Sequence, residues 1–170
     1  MKKNHSVKNS FFPWCFSAGL ICFIMIACNS GCPENEETKI PPQEEAKTSI
    51  LEKIKTANEK WAAGNPLGFV ECAAEDIVWM DDLAAQLPVS GKENLQAYLE
   101  NFVGQIPPHQ HELSDMAFRF YDDVVIITYR YTASINGETA DPWKVTSVYK
   151  YMDGGWWSIH ENWSLVMKKQ

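Results

Sequence analysis

The chain has 170 residues, with 15 Lys and Arg against 22 Asp and Glu, for a net charge of −7. An acidic chain without a basic stripe has no field to attract nucleic acid or an anionic membrane surface. The sequence has no phosphate-cradling glycine loop, no G-x-S-x-G and no convincing Cys–His pair, so no cofactor is expected.

Residues 1–10, MKKNHSVKNS, carry three lysines and no acid, and seventeen mostly apolar residues follow, Phe11–Ala27. A basic stretch, an apolar run and a small residue describe a secretory signal. The end of the run, Met25-Ile26-Ala27-Cys28, resembles the lipobox of bacterial lipoproteins, which implies lipidation of Cys28 and a membrane anchor. Cleavage elsewhere and retention as a short signal anchor are the other two readings. All three put the domain outside the cytoplasm, and the lipoprotein reading places it in the cell envelope, anchored to the membrane and facing the periplasm or exterior. Loss of residues 1–27 removes three lysines and takes the charge to about −10.

The expected organisation is a signal over 1–27, a disordered linker over 28–47, rich in Pro, Glu and Gln, and one domain over 48–170. About 120 residues suffice for one core. Two cysteines beyond Cys28, Cys32 and Cys72, make no disulfide framework, and Cys72 is expected to be a buried thiol.

In SILEKIKTANEKWAAGN, Ile50, Ile54, Ala57 and Trp61 share a helical face, with Ser49 as cap and Gly64-Asn65 as stop. A short helix is expected in PLGFVECAAE, and DIVWMDD reads as a strand ending in acids. KENLQAYLENFVGQ is amphipathic through Leu95, Tyr98, Leu99 and Phe102. The period then changes. HELSDMAFRFY, DVVIITYRYTASI, DPWKVTSVYKYM and GWWSIHENWSLVM are β-branched and aromatic, separated by turn-like YDD, NGETAD and DGG. Helices followed by a long meander predict an α+β fold, with helices packed on one face of a curved antiparallel sheet.

This order, closing on D-G-x-W-x-x-x-H-x-x-W-S over residues 153–164, resembles the nuclear transport factor 2-like superfamily. Within it, the chain is similar to the SnoaL-like proteins and to the calcium/calmodulin-dependent kinase II association-domain-like group. WKVTSVYKYMDGGWWSIHENWS and SGKENLQAYL carry the likeness, which covers about residues 48–168. It implies a cone whose helix-facing side lines a cavity, and an outer sheet face that commonly forms a homodimer interface. The fold hosts isomerases, dehydratases and inert scaffolds, so it does not choose among them. Residues 49–64 hold no tyrosine, so the tyrosine-and-two-acids site of steroid-isomerase relatives does not carry over.

Strict alternation divides the last strand into Trp157, Ile159, Glu161, Trp163 and Leu165 on one face and Trp156, Ser158, His160, Asn162 and Ser164 on the other. The first, more apolar set is expected inside, with Glu161 and Trp163 near the cavity mouth. Trp79, Tyr98, Tyr129, Tyr131, Trp143, Ser147 and Trp163 are the candidate pocket residues, an aromatic cup suited to a small molecule. Glu161, Asp82 and His160 are the candidate acid–base groups. His109 and His111 share a face, but zinc needs three or four ligands, so no metal is expected. The leading expectation is binding of a small apolar or polycyclic molecule. An isomerase- or dehydratase-type enzyme using a pocket carboxylate and a dimeric scaffold of the envelope are the alternatives.

Overall fold

The computed structural model describes residues 39–83 and 88–166, within the compact unit Glu36–Gln170. The signal, Cys28, Cys32 and the linker through residue 38 lie outside the described residues. No helix among the described residues is long and apolar enough to cross a membrane.

Helix α1 spans Gln43–Ala62 and starts six residues before the expected cap at Ser49. Pro42 precedes the first turn, Glu44 and Glu45 sit where the helix dipole favours acids, and Ala46 packs into the core. Residues 43–47, which the expected linker includes, are therefore helical. Ala46, Ile50, Ile54, Ala57, Asn58 and Ala62 form the buried stripe. Gly64 ends the turn at φ +89°, where a Cβ would lie 2.9 Å from the Ile106 carbonyl oxygen, so only glycine fits without strain.

Helix α2 is short, Gly68–Cys72, and strand β1 follows at once, Ala73–Asp81. The AAED stretch expected to end a helix thus begins a strand. After β2 (Val89–Ser90) comes α3, Lys92–Glu100, whose buried residues are Leu95 and Leu99. Long strands β3 (Gln110–Tyr121), β4 (Val124–Ile135), β6 (Trp143–Met152) and β7 (Gly155–Leu165) follow, with the short β5 (Glu138–Thr139) beside β4. Asn136-Gly137 and Asp153-Gly154 both have positive φ at their two residues, the geometry of tight hairpin turns.

The sheet order is β2-β1-β7-β6-β4-β3. It is curved and mixed: every pairing is antiparallel except β1 on β7, which is parallel. The expected all-antiparallel sheet is corrected at that one seam. The chain leaves β1 through β2, α3 and the four strands β3 to β6 and returns alongside it in the same direction, as a parallel pair requires a long crossover. Helices α1, α2 and α3 pack against the sheet, and one core joins them, from Ala46 and Ile50 to Val125, Ile127, Tyr149 and Trp163.

A β-bulge changes the reading of β7. Val148 pairs with His160 but its neighbour Tyr149 pairs with Ser158, so Ile159 is an extra residue. Trp156 and Ser158, expected outside, are buried together with Glu161 and Trp163. Strict alternation fails there because the bulge resets the parity of every residue before it.

Candidate functional site

The inner face is built in cross-strand rows. Trp79 of β1, Glu161 of β7, Ser147 of β6 and Ile127 of β4 lie in one; Asp81, Trp163, Val145 and Tyr129 lie in the next. Trp143 and Tyr131 pair one step further along. The helices bring Trp61 and Phe69 down onto these rows.

Trp163 is the hub. Its ring contacts Trp61, Phe69, Trp79, Tyr129, Tyr131 and Trp143 at centroid separations from 5.4 to 6.5 Å, stacked on Trp79 and mostly edge-on elsewhere. Such pairs add about 0.5–1.5 kcal/mol each beyond the area they bury. The hub leaves a half-open cleft lined by Trp61, Phe69, Trp79, Asp81, Leu83, Tyr131, Trp143 and Trp163. The cleft with its open mouth holds about 320 Å³ free of atoms, but only about 20 Å³ can be occupied by water centres. That admits roughly one water molecule or the tip of a ligand. Side chains therefore fill the interior, and a polycyclic ligand does not fit inside the cleft in this conformation.

Asp81 is the acid of the cleft. Its carboxylate accepts the Trp79 indole N–H at 2.6 Å, the Leu83 backbone N–H at 2.8 Å and the Tyr98 hydroxyl at 2.9 Å. Burial, reinforced by this carboxylate, pushes the Tyr98 phenol well above its ordinary range. Asp82, the expected rim base, points elsewhere: it is exposed and accepts the Leu165 backbone N–H at 2.6 Å. The alternation along β1 that buries Trp79 buries Asp81 and excludes its neighbour. That parity was the signal available in the sequence for choosing between the two acids.

Glu161 is not at the mouth. It is 4% exposed, does not line the cleft, and sits beside Trp163 on the same face of β7. Ser147 and Ser158 donate to its two carboxyl oxygens at 2.6 and 2.9 Å. Cys72, Tyr129 and Tyr149, all buried, complete the chamber, and the Tyr149 hydroxyl donates to the Cys72 thiol at 3.7 Å. Cys72 is the buried free thiol expected, and burial pushes it up to about 11. Burial raises Glu161 to about 7, against the opposing pull of its hydrogen-bond donors.

Of the other candidates, Trp79, Tyr131, Trp143 and Trp163 line the cleft, and Tyr98 reaches it through Asp81. Tyr129 and Ser147 lie deeper, in the chamber with Glu161. His160 falls on the other face of β7, between Val148 and Val78 and away from both. His109 and His111 pack against Tyr131: His111 stacks on its ring at 5.5 Å, and the His109 ring bonds its hydroxyl. Among the described residues no three metal-ligating side chains cluster.

Three helices over a curved sheet that encloses an aromatic interior define a nuclear transport factor 2-like domain. The family model of the SnoaL-like domain matches residues 54–159, and the chain belongs to that family. Its fold is shared by a proposed ketosteroid isomerase from Parabacteroides distasonis, at 24% identity and TM-score 0.59 over 69% of this chain and 85% of that one. A nuclear transport factor 2-like protein of unknown function from Pseudomonas putida matches at 21% identity and TM-score 0.65 over 75% and 92%. A proposed calcium/calmodulin-dependent protein kinase II association domain from Xanthomonas campestris matches at 23% and 0.55 over 69% and 85%. No curated protein matches the chain.

The chamber predicts a pH dependence with a definite sign. The folded protein keeps a proton on Glu161 up to about 7, whereas the ordinary value is 4.5. Between these values the folded state binds more protons, so stability falls as pH rises through the window and levels off above it. The full difference is at most roughly 3 kcal/mol. Urea titrations from about pH 4 to about pH 8 should show this decline, and Glu161→Gln should flatten it. Parallel curves for the two proteins would remove Glu161 as the buried proton holder.

Proposed function

We propose that this SnoaL-like domain binds a small molecule and does not catalyse a reaction, and that it takes the narrow apolar end of its ligand, an alkyl tip or a single ring, at the aromatic cleft. One observation carries the reading: seven apolar side chains, most of them aromatic, converge with a single carboxylate on a half-open cleft too tight for more than a ligand's tip. This reading narrows the small apolar or polycyclic molecule expected from the sequence to the smaller of the two. The catalytic alternative is weaker on the same geometry. Glu161 lies sealed beside Trp163, and the Asp81 carboxylate is already met by three donors, which hold it as a fixed wall more than as a mobile base.

The test is a thermal-shift series with single-ring aromatics, short alkyl compounds and steroids. Single-ring compounds at about a hundred times their dissociation constant should stabilise the protein by about 2.7 kcal/mol, and steroids should not. Trp143→Ala, which removes a wall of the mouth, should weaken the hits at least about tenfold. A series in which nothing shifts the melt refutes the binding reading, and a steroid hit refutes the size argument.

Self-association is a second reading, favoured by the outer face of the sheet. Val78, His160, Val148 and Ile126 form one row across β1, β7, β6 and β4, and Met80, Asn162, Thr146 and Thr128 form the next. All eight are half-buried and none is an acid, lysine or arginine, whereas Arg130 and Lys144 flank them. We infer that a second copy covers this face. Val148→Asp should weaken the dimer at least about tenfold in sedimentation equilibrium. A wild-type chain that stays monomeric at about 50 μM, below which such a dimer is of little use, removes the interface.

The lipobox-like Met25–Cys28 stretch supports an envelope domain tethered through Cys28. Expressed as the full chain in bacteria, Cys28→Ala should leave the membrane fraction and lose the lipid mass. A wild-type chain without that mass would contradict the anchor.

A further inference from the structure

The aromatic cleft contains a hydrogen-bonded pair that the binding reading does not use. Tyr131 of β4 lines the cleft. His109 lies just before β3 and is fixed to the end of α1 by its backbone N–H, which donates to the Ala62 carbonyl at 2.9 Å. Its ring Nδ1 is 2.8 Å from the Pro107 carbonyl oxygen. A carbonyl only accepts, so Nδ1 carries the hydrogen of the neutral ring. Nε2 is then the acceptor, and it takes the hydroxyl proton of Tyr131. The stacked His111 ring and the edge-on His109 ring hold the phenol in place.

This arrangement fixes what the cleft can offer. With His109 neutral, the Tyr131 hydrogen is committed to Nε2, and the cleft has no phenolic donor to spend on a ligand. Protonation puts a hydrogen on Nε2 as well. Both ring nitrogens then donate, the Tyr131 oxygen becomes the acceptor, and its hydrogen must turn to another oxygen. His111 on β3 is within electrostatic reach of His109, and Glu59 of α1 acts on His111 in turn. The Trp61 indole of α1 stands beside the phenol oxygen. Asp81 stands on the cleft wall.

We propose that His109 and Tyr131 are the specificity-determining pair of the cleft: with His109 protonated, it selects a neutral acceptor, a carbonyl or ether oxygen next to an apolar group, and with His109 neutral it selects a purely apolar group. The proposal rests on the small-molecule reading above and adds the ligand's polarity and its control.

Acetophenone and ethylbenzene are matched probes, alike in size and differing in the carbonyl. Their affinities for the full-length protein are measured by ligand-observed NMR at about pH 5 and about pH 8. Acetophenone should gain about tenfold over ethylbenzene at the lower pH. Taking the ratio cancels the ionisation of Glu161, which is common to both probes. In His109→Gln and in Tyr131→Phe the ratio should no longer depend on pH. A pH-independent ratio in the unmodified protein, or one that still varies in His109→Gln, overturns the proposal and leaves the binding reading standing. Failure of both probes to bind at either pH overturns both. A ligand-free measurement separates the hydrogen-bond argument from the ligand: ¹⁵N shifts of His109 at about pH 8 should report the Nδ1–H tautomer, and an Nε2–H tautomer overturns the pair on its own.

Discussion

Ile159 is the one residue by which β7 outruns β6, and the interior depends on it. A strand of strict alternation that buries Glu161 and Trp163 would turn Ser158 and Trp156 outward. The bulge turns them inward instead, so that Ser158 donates to Glu161 three residues on and Trp156 closes the core against Tyr151. Without that extra residue the carboxyl would lose one of its two hydroxyl donors and the core one of its largest side chains. Bulges also sharpen local twist, which suits a sheet that must curve around its helices.

Trp163 then divides the inside of the cone into two zones of different chemistry. Toward solvent lies a cleft of rings with Asp81 at its wall; behind lies a chamber of hydroxyls, a thiol and one carboxyl. Two acids on adjacent rows of the same sheet meet opposite conditions. Asp81 is met by indole, phenol and backbone donors. Glu161 has two serine donors, and the loss of water outweighs them. The chamber is therefore neutral below about 7, and the tryptophan hub rests on it undisturbed.

Membership of the SnoaL-like family accounts for the helices, the strand order and the curved sheet, and stops there. Relatives at 24% identity or less share the backbone, while chemistry resides in side chains that differ from one chain to the next. In this chain those side chains fill the cone. That filling separates an aromatic cleft that grips a tip from the deeper cavity that a buried substrate would need.

Much of this was legible in the residues. The switch from helical to alternating period at Pro107-Pro108, the Asn-Gly and Asp-Gly turns, and the inward sets Val125, Ile127, Tyr129, Tyr131 and Trp143, Val145, Ser147, Tyr149 follow from local rules that hold along an undistorted strand. The α1 start at Gln43 was hidden because QEEAK has the composition of a linker, and only the burial of Ala46 against the fold makes it a helix. The choice of Asp81 over Asp82 also follows from alternation along β1, but Trp156 inside, Glu161 sealed and His109 on Tyr131 are different in kind. Each depends on a register shift or on a contact between residues far apart in the chain, and periodicity carries no information about where a strand gains a residue. The sequence by itself determined the helices and the long strands, their order and the family. The tertiary structure alone decided how much room is left in the cleft and which hydroxyl holds which proton, because those are set by packing across strands and not along them.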